Sequence, residues 1–167
     1  WDPLEKLARE KEVVGIYISG HPLDDFKIEM NTFCNSNVTA FKSMENFINK
    51  ELAFGGILTE VEHRISRQGK GWASFIIEDY LDSYEFRIFG EDYLKFKHFL
   101  INNNFLFIKA FVKEGWQNRD TGKKGDPRIQ FSSFKLLHDV LDSFAKKLSI
   151  QLKINEIDNS KLLKLNQ

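Results

Sequence analysis

Cysteine is almost missing from this chain of 167 residues, in which Cys34 is the single example. One cysteine can form neither an intrachain disulfide nor a zinc site built from several thiolates. The histidines are equally sparse, and no other ligand stands three or four residues from any of them in a metal-binding pattern. The four histidines are His21, His63, His98 and His138. We therefore expect no metal site in this chain.

The sequence also lacks an excess of charge, because its 24 Lys and Arg residues balance 24 Asp and Glu residues. This balance excludes a polybasic protein that binds nucleic acid through bulk charge, so any such binding must come from local patches. No apolar run approaches the about 18 residues that span a membrane, and no signal-peptide pattern is present. We expect a soluble, cytoplasmic protein with no membrane partner. Trp1 in place of Met, and an amphipathic pattern that stops at Gln167, predict a piece of a longer protein.

Motifs of known catalytic chemistry are absent, since the sequence contains no phosphate-binding glycine loop, dinucleotide fingerprint or nucleophile elbow. Ser19, His21 and Asp24 offer the right residue types for a nucleophile and base, but their close spacing is more typical of a turn. Acidic side chains near residues 78–82 are likewise expected to support a turn. The sequence thus predicts no catalytic residue and no cofactor.

Five segments show the alternation of a half-buried strand, and one helical pattern separates the third from the fourth. The predicted strands cover 56–65, 72–79, 84–89, 105–116 and 128–138, and the helix covers 91–102. Tyr93, Leu94, Phe96, Phe99 and Leu100 are expected to form the buried stripe of that helix. This order predicts a mostly β fold with flanking helices (α+β), namely the five-stranded Greek-key barrel of the OB-fold.

Helical patterns flank the predicted barrel. Residues 1–52 read as a helical linker region with helices from Pro3, over 24–31 and from Ser43 to about Lys50. Residues 53–138 are the predicted OB domain. Residues 139–167 are expected to hold an exit helix over 139–148 and the start of a further domain, with a strand over 149–154.

Two basic loops, over 64–71 and 117–127, carry the functional signal, because the corresponding loops of an OB-fold flank its single-strand groove. Strand parity places Trp72 outward and puts Arg87 and Phe89 on one face of the third strand, so a base could stack on Trp72 or Phe89. Because phenylalanine is abundant in this chain, Phe89 is nevertheless expected to be packed. Phosphates are expected to meet Arg67, Lys70, Lys123 and Lys124. The candidate nucleic-acid-binding residues are Arg64, Arg67, Lys70, Trp72, Arg87, Trp116, Arg119, Lys123, Lys124 and Arg128.

Two stretches resemble the bacterial DNA polymerase III alpha subunits. Residues 10–24 read EKEVVGIYISGHPLD and resemble the stretch before that family's OB domain. Residues 66–79, SRQGKGWASFIIED, followed by Glu85, Phe89 and Tyr93, resemble its OB signature, although related strings recur in OB domains that bind tRNA anticodons. Ser66 stands where the family usually has Thr, and Asp82-Ser83 replaces the usual glycine turn.

The resemblance implies a C-terminal part of a replicative polymerase's catalytic subunit. In that family the carboxylates that bind catalytic Mg²⁺ lie far upstream, so this piece is expected to be non-catalytic although its parent is a nucleotidyltransferase. The implied role is binding single-stranded template DNA. Sites for the sliding clamp and the clamp loader, as further replisome partners, are expected mostly outside this chain. Two alternatives stay open, a protein-interaction scaffold within the replisome and an RNA-binding OB module of the anticodon-binding class.

Overall fold

A computed structural model describes residues 3–14, 17, 20–117 and 124–144 of the chain. Within them, four α-helices and five β-strands alternate with short 3-10 segments. The helices are α1 (Pro3–Val14), α2 (Lys27–Phe33), α3 (Gly90–Phe96) and α4 (Val140–Phe144). The strands are β1 (Glu51–Ile65), β2 (Gly71–Glu78), β3 (Ser83–Phe89), β4 (Phe105–Lys113) and β5 (Arg128–Leu136).

The long strand β1 organises the sheet by changing partners along its length. Its first half pairs antiparallel with β4, and from Ile57 onward it pairs antiparallel with β2. At the change, a side chain on Gly56 would lie 2.5 Å from the carbonyl oxygen of Glu78, so only glycine fits there. A register shift between Leu58 and Glu60 bends the strand at the same place. The bend turns a flat sheet toward a barrel.

The strand order is β3-β2-β1-β4-β5, with every pair antiparallel and α3 placed between β3 and β4. No ladder joins β3 to β5 among the described residues, but Phe86 of β3 and Phe131 of β5 face each other with ring centroids 6.0 Å apart. Helix α3 contacts both edge strands. This arrangement is a partly open, five-stranded barrel of the OB type, which confirms the predicted fold class.

Phenylalanine fills the barrel interior. Phe41 enters from the 3-10 segment Val38–Phe47 and packs against Phe54 and Phe86 at ring-centroid distances of 4.8 and 4.9 Å. At the α3 side, Phe96 stacks on Phe134 at 4.6 Å. Contacts of this size and geometry add to the burial of the rings themselves. Residues before β1 therefore share one hydrophobic core with the barrel.

A second apolar cluster covers the outside of β4. Phe107 points away from the interior yet is buried, because Leu23, Leu137 and Val140 pack over it. Phe26 adds a ring contact to Phe105 at 4.9 Å. The segments that precede β1 and follow β5 in the chain thus cover β4, while the outer face of β2 and β3 stays open.

Several predicted boundaries were wrong. β1 begins at Glu51 instead of 56, because the continuous apolar run there is covered on both faces and shows no alternation. The helix expected from Ser43 is part of the 3-10 segment, which is interrupted at Ser43 by a non-helical backbone. The helix expected over 91–102 ends at Phe96 and passes into a 3-10 turn. Leu94, expected in its buried stripe, is 64% exposed.

The fourth strand ends at Lys113, not at 116, since the chain there enters a loosely paired hairpin. The exit helix expected over 139–148 is described only as α4, and the strand over 149–154 and the helix from Ser160 lie outside the described residues. The domain boundaries after residues 52 and 138 stay predictions. No helix in the described part of the chain combines the length and the apolar composition needed to cross a membrane.

Candidate nucleic-acid interface

Three strands, β1 to β3, present an open outer face that we call the groove face. Because the register of neighbouring strands is fixed, its outward side chains line up in three cross-strand rows. The aromatic row is Arg64, Trp72 and Phe89, the mixed row is Glu62, Ser74 and Arg87, and the acidic row is Glu60, Ile76 and Glu85. The parity that buries Ala73, Phe75 and Ile77 therefore turns Trp72, the predicted candidate on β2, toward the outer face.

The aromatic row is a partly exposed platform whose side chains stack on one another. The rings of Trp72 and Phe89 are stacked, with centroids 5.4 Å apart and an interplanar angle of 21°. The guanidinium group of Arg64 lies 5.5 Å from the Trp72 ring centroid, within cation–π range. Phe89 is 56% exposed, so the expectation that it is packed was wrong. The reason is its position at the end of β3, where strand parity turns it outward just before Gly90 opens α3.

The β1–β2 loop beside the aromatic row has a defined backbone. The amide of Ser66 donates to the Lys70 carbonyl at 2.8 Å, and the amide of Gly69 donates to the Ser66 carbonyl at 2.9 Å. Gly69 adopts a positive φ of 76°, which suits glycine. Arg67 and Lys70 are both exposed on this loop, where solvent or a polyanion can reach them. The loop thus places two of the predicted phosphate-binding cations next to Trp72.

Helix α3 holds the beginning of β2 in place. A side chain on Gly71 would lie 2.5 Å from Cε1 of Tyr93, so the Tyr93 ring packs directly on this backbone. The Tyr93 hydroxyl is 3.2 Å from Nδ1 of His63, whose Nε2 is 3.2 Å from the Leu100 carbonyl. This packing immediately precedes Trp72 in the chain. The platform therefore stands on a backbone fixed by three elements.

Carboxylates share the groove face with the predicted cations. Arg64 forms an ion pair with Glu62, and Arg87 forms one with Glu85 at 3.3 Å. Sequence reasoning weighed the cations and missed these partners, although the alternation of Glu60, Glu62 and Arg64 along one strand was visible. Only the strand register shows that Glu85 of β3 lies in the same cross-strand row as Glu60 of β1. The formal charge along the face thus changes from positive at the aromatic row to negative at the acidic row.

The β4–β5 hairpin carries a second exposed aromatic side chain. Trp116 is 75% exposed, and the guanidinium of Arg128 lies 4.0 Å from its ring centroid. Arg128 also donates to the Glu114 carbonyl at 3.2 Å, and Lys124 pairs with the Glu114 carboxylate at 2.8 Å. Two other predicted residues of this loop, Arg119 and Lys123, lie outside the described residues.

The hairpin base and the start of α3 meet at one end of the barrel. Asp92, three residues after Phe89, lines one shallow cavity together with Lys113 and Arg128. The structure therefore gathers Arg64, Arg67, Lys70 and Trp72 at the β1–β2 end and Trp116, Lys124 and Arg128 on the hairpin. Arg87 lies one row further along the groove face, toward the carboxylates.

The residues that resembled a catalytic or metal-binding set make hydrogen bonds within turns instead. The Asp24 carboxylate accepts the backbone N–H of His21 at 2.9 Å, and this bond, together with Lys27, lowers the pKa of Asp24. The His21 Nδ1 accepts the Leu23 amide at 3.1 Å. Ser19 lies outside the described residues. Among the residues that the structure describes, no group of three acidic, histidine or cysteine side chains could hold a metal ion.

Comparison with known proteins identifies relatives. The chain is 31% identical over 120 residues to the DNA polymerase III subunit alpha of Campylobacter jejuni, which covers 69% of this chain and 10% of that protein. It is 33% identical over 106 residues to the Borreliella burgdorferi protein of the same name, covering 62% of this chain and 9% of that protein. The Neisseria meningitidis protein matches at 27% over 154 residues, covering 91% of this chain and 12% of that protein.

The chain thus spans about a tenth of the length of the curated relatives it matches. No family model matches it. Among solved structures, a putative aspartyl-tRNA synthetase from Leishmania major aligns with 64% of this chain and 21% of its own, at 12% identity and a TM-score of 0.40. A TM-score this low supports no inference about fold or function.

Proposed function

We propose that this chain, which belongs to the bacterial DNA polymerase III alpha subunit family, is a single-stranded DNA-binding OB module that serves DNA replication. The DNA would be template held near a polymerase active site located elsewhere in the whole protein. Other replisome subunits would be its protein partners. This role requires a surface that tolerates any base sequence, and the groove face has the necessary features.

The observation that carries the proposal is the aromatic row. Phe89 stacks on Trp72 and is still 56% exposed, so its ring face on the side away from Trp72 would accept a base, whereas Arg64 lies over the Trp72 ring. Base–aromatic stacking contributes about 1–3 kcal/mol per base and does not discriminate strongly between bases. Arg64 lies within cation–π range of the indole and adds a cation to the same row.

Phosphate contacts would come from the loop cations. Arg67 and Lys70 are exposed beside the aromatic row, and Arg128 and Lys124 lie beside Trp116. Arg64 and Arg87 already have carboxylate partners, so their contribution to phosphate binding would be smaller. We propose that the two loops, more than the groove floor, hold the DNA backbone.

The module is proposed to be non-catalytic and to need no cofactor. The side chains of His21, Asp24 and Asp79 accept backbone hydrogen bonds within turns. Nucleotidyl transfer with Mg²⁺ by the whole protein would depend on residues elsewhere. Primer–template, Mg²⁺ and deoxynucleotides should therefore give no extension with this chain alone. Extension by a preparation free of other polymerases would contradict this part of the proposal.

The test of DNA binding is fluorescence anisotropy of a labelled single-stranded oligonucleotide titrated at several salt concentrations. Binding should weaken with salt, with a log–log slope of a few units at about 0.7 per neutralised phosphate. Phe89→Ala should weaken binding by about 1–3 kcal/mol, because one stacking surface is lost. Ile28→Ala, which truncates an equally exposed apolar side chain on α2, is the matched control and should bind as wild type does.

Absence of binding at low salt, or a Phe89→Ala variant that binds like the Ile28→Ala control, would contradict the proposal. A preference for folded tRNA over the DNA oligonucleotide would instead support the RNA-binding alternative.

The ion pairs on the groove face favour a second candidate function, which is to bind a protein segment within the replisome. Glu62 and Glu85 neutralise Arg64 and Arg87, so this face attracts a polyanion less than its arginines alone suggest. Weak nucleic-acid binding that does not depend on salt would indicate this scaffold role.

A further inference from the structure

The groove face has a charge gradient that a neutral or uniformly basic DNA-binding surface would not have. The aromatic row carries the cation Arg64, the mixed row combines Glu62 with Arg87, and the acidic row combines Glu60 with Glu85. Their formal charges at neutral pH are therefore +1, 0 and −2, and the ion pairs of Arg64 with Glu62 and of Arg87 with Glu85, which join neighbouring rows, offset part of this difference. From this gradient we infer that the acidic row limits where a bound strand can lie, an inference that rests on the proposed function.

The spacing of the rows makes the gradient effective. Outward residues two positions apart on a strand are separated by about 6.7 Å, so the aromatic and acidic rows are about 13 Å apart. The Debye length is about 8 Å at physiological salt. Phosphates at the aromatic row are therefore largely screened from the two glutamates, whereas phosphates running down the strands would pass directly over them.

The favourable path consequently runs across the strands, from the β1–β2 loop to the β4–β5 hairpin. Both ends of that path offer an aromatic ring paired with an arginine, Trp72 with Arg64 and Trp116 with Arg128. The path passes the shallow cavity at Asp92, where α3 and the hairpin base meet. Glu60 and Glu85 close the other end of the face. They act as positioning residues for the strand and bind no ligand themselves.

The inference is tested with the double variant Glu60→Gln/Glu85→Gln and with oligothymidylates of two lengths. OB-folds bind about 4–16 nucleotides, so oligonucleotides of about 6 and about 18 nucleotides bracket the confined path. The shorter one occupies the path that is already favourable, and its affinity should not change. The longer one gains access to the neutralised end and should bind about 1.5- to 5-fold tighter at physiological salt, the range for removing exposed charge contacts.

The control is Glu12→Gln/Asp142→Asn, which removes two exposed carboxylates on α1 and α4, helices that contribute no residue to the three rows. It should leave both affinities unchanged. Equal tightening of both lengths in the Glu60→Gln/Glu85→Gln variant would show a general charge effect and overturn the inference. Unchanged affinity at both lengths would also overturn it. If the wild-type chain binds neither oligonucleotide at low salt, the proposed function fails and the inference with it.

Discussion

The buried carboxylate of Asp79 connects the barrel to the segment before it, and its removal should be costly. Asp79 follows β2 and is only 4% exposed. Its Oδ2 accepts the backbone N–H of Val38 at 2.8 Å. Its Oδ1 accepts the N–H groups of Leu81 and Asp82 at 2.8 and 3.0 Å, which shapes the β2–β3 turn. One side chain thus satisfies three amides from two parts of the chain.

The stability that Asp79→Ala should lose depends on whether each of those three amides finds another hydrogen-bond acceptor. The Leu81 and Asp82 amides belong to an exposed turn, where water can replace the carboxylate at little cost. Val38 is fully buried, so its N–H would lose its partner at a cost of about 1–3 kcal/mol. Hydrogen bonds to a charged group contribute about 1.5–3 kcal/mol each, but they are not additive. We expect unfolding free energy to fall by about 3 kcal/mol.

Asp79→Asn is a more specific test, because the side chain keeps its size and shape and loses only its charge and one acceptor oxygen. An amide has one carbonyl oxygen, which can accept either the turn amides or the Val38 amide, and its NH₂ group must face the other donor. A loss of about 1–3 kcal/mol is therefore expected for this variant as well. The measurement is urea unfolding with linear extrapolation, in which the midpoint falls while the slope m stays constant.

Asp142→Asn, at an exposed position on α4, is the control and should change stability by less than about 0.5 kcal/mol. An Asp79→Ala variant within that same margin of wild type would refute the role assigned to this carboxylate.

Two further predictions concern packing and burial. Gly71→Ala should destabilise the chain by about 1–3 kcal/mol, because the new methyl group would overpack against Tyr93. It should also weaken DNA binding, because Trp72 follows directly in the chain. Unchanged urea unfolding of this variant would contradict the prediction. Burial raises the pKa of the Cys34 thiol to about 12 from 9.0, so at pH 8 a thiol reagent should label it slowly in the native protein and quickly in urea. Because the folded-state pKa is the higher one, the thiol's contribution to stability is complete below pH 9 and is lost as pH rises toward 12. Fast native labelling at pH 8 would count against this burial.

The order of strands and the position of the helix could be predicted from hydrophobic alternation, and so could the outward direction of Trp72. The prediction failed where alternation was absent or misleading. The start of β1 is apolar on both faces because α2 and α4 cover one of them. Leu94 has the spacing of a buried residue but is exposed, and Phe96 is the α3 side chain that is buried in the core.

The candidate interface was predicted in part. The positions of the cations and tryptophans in and beside the two loops are evident from the sequence, whereas the carboxylate that pairs with each arginine is not. Glu85 is 23 residues from Glu62, and only the pairing of three strands places both on one face. Strand parity placed Phe89 on the face of Arg87, but it was expected to be packed because phenylalanine is abundant and most often buried, and only the structure shows that it stays exposed there.

The local sequence pattern by itself determined the OB-type order of elements, the basic loops and the resemblance to the polymerase subunits, because these depend on residues close in sequence. Tertiary structure alone decided which sheet face stays open, since that depends on where the flanking segments pack. It also decided that aromatic, mixed and acidic rows follow one another across three strands. Cross-strand register is a long-range property, and the charge that a bound strand would meet is set by that register.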